Sequence, residues 1–151
     1  MDTKKNKAEK EKINIKFREV REYHLPEVLQ LLKQLDGGEL EGDHLKAWQR
    51  FKGNPSSNAV IGIMDDRVVA YGSLVIENKI NGKIAGHIED VVVDEEFRNY
   101  NIGTKLVEEL LYIAEMEDCF KVSLFCKKEL EHFYNKNGFE VNNIVMKKWL
   151  N

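Results

Sequence analysis

Basic excess, long apolar runs, cysteine and proline are all scarce in this chain, and each scarcity excludes something. Lysine and arginine number 23 against 26 acidic residues, a formal charge of −3 over 151 residues. The basic footprint of a nucleic-acid binder is therefore missing, and no nucleic-acid partner is expected. No stretch approaches the ~18 consecutive apolar residues that a membrane-crossing helix requires, so no membrane partner is expected either. The opening residues, MDTKKNKAEKEK, lack the apolar segment of a secretory leader. Their lysines and acids, almost free of apolar residues, predict a disordered tail over residues 1–12. Residues 13–151 suffice for a single domain with its own core. Cys119 and Cys126 are the only cysteines, spaced like neither a metal clip nor a redox pair. They are expected as buried, reduced thiols of a cytosolic protein. His87-x-Glu89 opens as a zinc-deaminase signature does, but no Pro-Cys-x-x-Cys follows, and no metal site is expected.

What is present is an ordinary globular composition, 42% hydrophobic, with helix and strand signals in turn. Ile13, Ile15 and Phe17 alternate with polar residues as in a strand. Leu25, Val28, Leu29, Leu32 and Leu35 follow helical spacing, with Pro26 tolerated in the first turn. Asp43 can cap a second helix carrying Leu45, Trp48 and Phe51 on one face. Three strands are predicted over Ala59–Met64, Val68–Ile76 and Lys83–Val93, with Asp65-Asp66 and Asn81-Gly82 as turns. A helix from Thr104 to about Met116 turns Leu106, Leu110, Ile113 and Ala114 inward. A strand over Phe120–Cys126, a short helix over Glu129–Asn137 ended by Gly138, and a last strand over Phe139–Trp149 complete the order. The fold class is α/β, with a mixed, mainly antiparallel sheet flanked by helices.

The most informative run is Gly86–Gly103, GHIEDVVVDEEFRNYNIG. Two carboxylates, Glu89 and Asp90, immediately precede Val91, Val92 and Val93. A polar break, Arg98 and a small-residue turn through Asn101 and Gly103 then lead into the helix. A strand, a loop and a helix start in this order present backbone N–H groups to an anion such as a phosphate. By strand alternation Glu89 and Asp90 are expected on opposite faces.

Arg98-x-x-Asn101-x-Gly103 resembles the pyrophosphate loop of the GNAT superfamily of acetyl-CoA-dependent N-acetyltransferases, whose pattern is Gln/Arg-x-x-Gly-x-Gly/Ala. Gly86-His87-Ile88-Glu89-Asp90-Val91 is more specific and resembles the glucosamine-6-phosphate N-acetyltransferases within it. Phe133-Tyr134-Asn135-Lys136-Asn137-Gly138-Phe139 is similar to that family's Phe-Tyr-x-Lys-x-Gly-Phe segment. The three segments stand in the family's order, and the resemblance runs from about Ile15 to the C-terminus.

The resemblance implies the GNAT fold and acetyl transfer from acetyl-CoA to the amine of glucosamine 6-phosphate, serving UDP-N-acetylglucosamine synthesis in the cytosol. It implies a homodimer whose sugar sites draw on both subunits. For the co-substrate it implies main-chain groups of Val91, Val92 and Val93, the loop Arg98, Asn99, Tyr100, Asn101, Ile102, Gly103 and Thr104, and Tyr134 and Lys136. Tyr134 is the implied proton donor to the leaving thiolate, and Glu89 and Asp90 are the implied acids at the sugar and its amine. Asp36, Lys79, Phe125, Lys147 and Lys148 complete the implied acceptor site. Beside these roles stand plainer ones: core packing for Val91, Val93 and Tyr134, a structural ion pair for Glu89 or Asp90, and solvated surface for the lysines.

Three positions depart from the family pattern. Asn101 replaces a glycine, and asparagine is among the residues that enter left-handed backbone most readily. Phe125 replaces an acid and Leu130 an asparagine. These departures keep two alternatives open: an enzyme of the same fold acting on another small amine or a protein amine, and a non-catalytic acetyl-CoA-binding module.

Overall fold

The computed structural model describes residues 14–35 and 39–151. The expected tail over 1–12 and the candidate Asp36 lie outside them. The elements run β1 (Lys16–Glu19), a 3-10 turn (Glu22–His24), α1 (Leu25–Leu32), α2 (His44–Gly53), β2 (Ser57–Met64), β3 (Arg67–Asn78), β4 (Ile84–Val93), a second 3-10 segment (Glu95–Tyr100), α3 (Ile102–Met116), β5 (Lys121–Leu124), a third 3-10 turn (Lys128–Leu130) and α4 (Glu131–Lys136). The strands form one sheet in the order β1-β2-β3-β4-β5. The first three pairings are antiparallel and β4–β5 is parallel, the mixed arrangement expected.

The apolar runs of β2 and β3 do not alternate with polar residues because both faces of the sheet are covered. On one face Val60, Val69, Leu74 and Ile88 pack under Ile102, Leu106, Leu110 and Ala114 of α3. On the other, Ala59, Ile61, Tyr71 and Val92 pack under Val28 and Leu31 of α1, with Trp48 and Phe51 of α2 at the edge. Leu45, expected on that face of α2, is exposed. Asp43 caps α2 by accepting from the N–H groups of Leu45 and Lys46 at 3.0 and 3.2 Å. Glu27 of α1 accepts from the Val68 N–H at 2.8 Å and ties that helix to the start of β3.

Asp65 and Asp66 both take positive φ, 49° and 61°, as the tight β2–β3 hairpin requires. The β3–β4 hairpin closes through Lys79 N–H to Lys83 O at 2.9 Å, with Gly82 at φ 87°.

Two further expectations fail. No strand forms over Phe139–Trp149: the segment is irregular and mostly exposed, with Val141, Ile144, Met146 and Trp149 all open to solvent. A strand needs a paired edge and extended backbone; here Asn143 turns to φ 60° and the five-stranded sheet does not include the segment. The thiols are not both buried either. Cys126 is exposed and Cys119 half-buried, because β5 ends at Leu124 and Cys126 falls in the turn beyond it.

Candidate active site

Two irregularities in β4 build the site. Opposite β3, Tyr71 pairs with Val92 but Ser73 pairs with Glu89. Between these pairs β3 has one residue, Gly72, and β4 has two, Asp90 and Val91, a bulge on β4. Asp90 carries the strain, at φ 52°, in left-handed backbone that Asp tolerates better than most residues. On its other side β4 pairs with β5 only through Ala85, Gly86, His87 and Ile88. Beyond Ile88 that edge is unpaired with β5, which ends at Leu124, and Phe125 to Lys127 form no strand. The result is a cleft of about 1570 Å³ between the two strands, floored by the bulge.

The bulge overturns the expectation that Glu89 and Asp90 point to opposite faces. Ile88, Val91 and Val93 pack against the cluster under α3, and Val92 packs in the cluster under α1. Alternation is reset between Ile88 and Val91, and both acids line the cleft. Asp90 is exposed over much of its surface, yet partial desolvation and then the charge of Glu89 raise its carboxyl above the usual range. The Asp90 charge acts in turn on Tyr71, whose phenol is pushed up to about 12, mainly by burial.

The loop after β4 is held from outside. Arg67 reaches Glu96 at 3.7 Å and Asp94 at 4.0 Å, and its guanidinium lies 5.2 Å from the centre of the Phe97 ring. Gln34 accepts from the Glu95 N–H at 3.2 Å. Arg98 donates through Nε to the Val93 carbonyl at 3.2 Å, which leaves its two terminal nitrogens uncommitted, and the residue lines the cleft. Asn101 adopts φ 62°, ψ 21°, the left-handed turn expected at this position, and α3 begins at the next residue. At Gly103 a Cβ would lie 3.2 Å from Phe133 Cζ, so the bare backbone lets α3 start hard against α4.

Tyr134, on α4, is buried and lines the same cleft. Its ring meets Phe133 and Phe139 edge-on, with centroids 4.9 and 5.8 Å away. Burial, and then the nearby Cys126, push its phenol up to about 12, so it is a neutral hydrogen-bond donor at neutral pH. Both roles considered for it, packing and donation, are compatible with this placement.

A backbone cradle at the N-terminus of a helix, an arginine and an open strand edge fit an elongated phosphate-bearing co-substrate that lies along β4. A model of the acetyltransferase (GNAT) family matches residues 25–139. The chain belongs to that family.

Among GNAT relatives, the Arabidopsis thaliana glucosamine 6-phosphate N-acetyltransferase is 44% identical over 85 residues, covering 55% of this chain and 57% of the relative. Glucosamine 6-phosphate N-acetyltransferase 1 of Dictyostelium discoideum is 36% identical over 87 residues, covering 56% of this chain and 55% of the relative. By these matches the chain spans a little over half the length of those curated relatives. The solved structure of the Arabidopsis thaliana enzyme superposes with a TM-score of 0.82 at 30% identity, covering 91% of this chain and 99% of that one. The GNAT fold is thus shown both by sequence and by shape.

Of the GNAT site residues expected from the sequence, the cleft gathers Glu89, Asp90, Val91, Val92, Val93, Arg98, Asn99, Asn101, Gly103, Thr104, Phe125, Tyr134, Lys136 and Lys147. Ile102 turns its side chain into the core, and Tyr100 packs beside Phe97; neither side chain lines the cleft. Lys79 lies outside it, paired with Glu77 at 3.1 Å, and Lys148 is exposed elsewhere. Sequence reasoning gave no role to Cys126, Phe133, Val145 or Gln34, which also line the cleft. Their proximity depends on how α1, α4 and the C-terminal segment pack, and no local pattern carried it.

Proposed function

We propose that this chain transfers the acetyl group of acetyl-CoA directly to the 2-amine of glucosamine 6-phosphate. The observation that carries the reading is the convergence of the Glu89–Asp90 bulge, the open Val91–Val93 edge and the Tyr134 hydroxyl on one cleft. The relatives' names supply the acceptor, and the spacing of the GHIED run agrees with it.

In this reading the main-chain N–H groups of the Arg98–Thr104 loop and the free guanidinium nitrogens of Arg98 hold the pyrophosphate at the positive end of α3. Main-chain groups of Val91 and Val92 align the acetyl-bearing arm as an added strand, the Val93 carbonyl being already engaged by Arg98. Glu89 and Asp90 accept from the acceptor's ammonium and hydroxyls and orient the nitrogen toward the thioester carbonyl. As the C–N bond forms and the C–S bond breaks, Tyr134 gives its proton to the departing sulfur and recovers one from the nitrogen through solvent. The other proton of the original ammonium leaves to solvent beforehand, which frees the nitrogen's lone pair for the attack. No covalent acyl-enzyme is invoked.

The acceptor's phosphate needs a cation, and of the three lysines in the implied acceptor set Lys147 is the one that lines the cleft. The reading extends to a homodimer in the cytosol, serving UDP-N-acetylglucosamine synthesis. The exposed apolar residues of the C-terminal segment, Val141, Ile144, Met146 and Trp149, support association of two copies.

The test is a thiol-release assay with acetyl-CoA against a panel of amino sugars with and without the phosphate. Glucosamine 6-phosphate should exceed free glucosamine widely in kcat/KM, with the gap narrowing as salt screens the phosphate contact. Lys147→Ala should remove much of that gap. Equal use of both sugars would reject the phosphate site, and turnover of neither would reject the acceptor.

A further inference from the structure

We propose that His87 is a positioning residue that fixes the Glu89 carboxylate for the acceptor and is itself fixed by Ser123. The inference rests on the reading that Glu89 meets the acceptor. His87 and Glu89 lie two apart on β4, on one face of the sheet. His87 is the register partner of Ser123 on the parallel strand β5, so that side chain projects on the same face. His87 Nε2 stands 2.9 Å from Glu89 Oε1, and Nδ1 stands 3.0 Å from Ser123 Oγ. The Phe125 ring packs against the imidazole at 4.7 Å and 60°.

The hydrogen bonds assign themselves. An ionised carboxylate can only accept, so Nε2 carries the proton and donates to Oε1. In the neutral ring Nδ1 is then bare and accepts the Ser123 O–H. Nearly half of the Glu89 side chain is exposed, and without a partner it would sample several rotamers. Held at Oε1, it presents Oε2 to the acceptor in one orientation. His87 and Ser123 do not line the cleft among the described residues, whereas Glu89 does, so the pair reaches the acceptor through Glu89 alone. Phe125, standing where the family pattern has an acid, closes the third side of the ring and adds no competing charge beside Glu89.

Two variants separate this role from simple packing. His87→Phe keeps a ring against Phe125 and removes both nitrogens; His87→Gln keeps one donor and one acceptor. His87→Phe should raise the acceptor KM roughly 10-fold, the scale of a weakened charge-assisted hydrogen bond, and leave the acetyl-CoA Kd unchanged by calorimetry. His87→Gln should recover most of the loss. In a Glu89→Gln background His87→Phe should add little, because the effect passes through Glu89. An unchanged KM in His87→Phe, or an equal effect in both backgrounds, would overturn the proposal. A measurement without turnover keeps it separate from the choice of acceptor: nitrogen NMR of the wild-type ring should find Nε2 protonated. An unprotonated Nε2 would overturn the proposal even if the amino-sugar panel succeeded. A protonated Nε2 with no turnover of any amino sugar would sustain the geometry and reject the acceptor.

Discussion

Ile88 and Val91 pack against one apolar cluster although they stand three positions apart along a single strand. Regular pleating would send them to opposite faces. The reset comes from Asp90, and it has two consequences at once. Glu89 and Asp90 come to line the same cleft, and beyond Ile88 the β4 edge is left unpaired with β5.

The left-handed backbone of Asp90 sets a stability order among substitutions. Asp90→Gly and Asp90→Ala remove the same carboxylate, but only alanine resists φ near +50°. Denaturant titration should find Asp90→Ala less stable than Asp90→Gly by about 1 kcal/mol. Equal stabilities would mean that the bulge is not fixed at this residue.

Gly103 separates a steric effect from a hydrogen-bond effect. Gly103→Ala places a Cβ 3.2 Å from Phe133 Cζ, and α4 must give slightly. Gly103→Pro adds the loss of one N–H at a helix position where proline's φ is tolerated. Calorimetry should show weaker acetyl-CoA binding in both, and clearly weaker in the proline variant. Matching affinities would remove that N–H from the pyrophosphate cradle.

Tyr134→Phe keeps the edge-on contacts with Phe133 and Phe139 and deletes the donor. Acetyl-CoA affinity should persist while kcat falls by about 10²-fold, the ordinary scale of a general-acid contribution. Wild-type kcat, with the chemical step shown to limit turnover, would reduce Tyr134 to a packing residue.

Tyr71 and Tyr134 predict an alkaline limit to stability. Burial raises both phenols from 10.0 to about 12, so the unfolded chain releases these protons first. The associated stability is fully present below pH 10 and is lost as pH rises through about 12. Phenolate absorbance should show two of the five tyrosines titrating late, together with or after loss of structure. Tyr71→Phe and Tyr134→Phe should each remove one phenol from that late step. Complete titration near pH 10 in a folded chain would contradict the burial argument.

By itself the sequence determined what short-range physics controls. Asp43 caps a helix, the Asp65-Asp66 and Asn81-Gly82 turns fold two hairpins, and Asn101 accepts the left-handed turn before α3, because each depends on neighbours within a few residues. The helix face of Leu106 and Leu110 was legible for the same reason, since periodicity is local. Only the tertiary structure decided the rest. The β4 bulge exists in the pairing with β3, where Gly72 lies against Leu110 of α3 and Asp90 takes positive φ. Glu89 and Asp90 alternate in sequence and share a cleft in space for that reason. Ser123 meets His87 through a parallel register joining strands more than thirty residues apart, which no spacing encodes. The apolar pattern over Phe139–Trp149 announced a strand, but a strand is a relation to a neighbour, and within one chain the sheet leaves that segment unpaired.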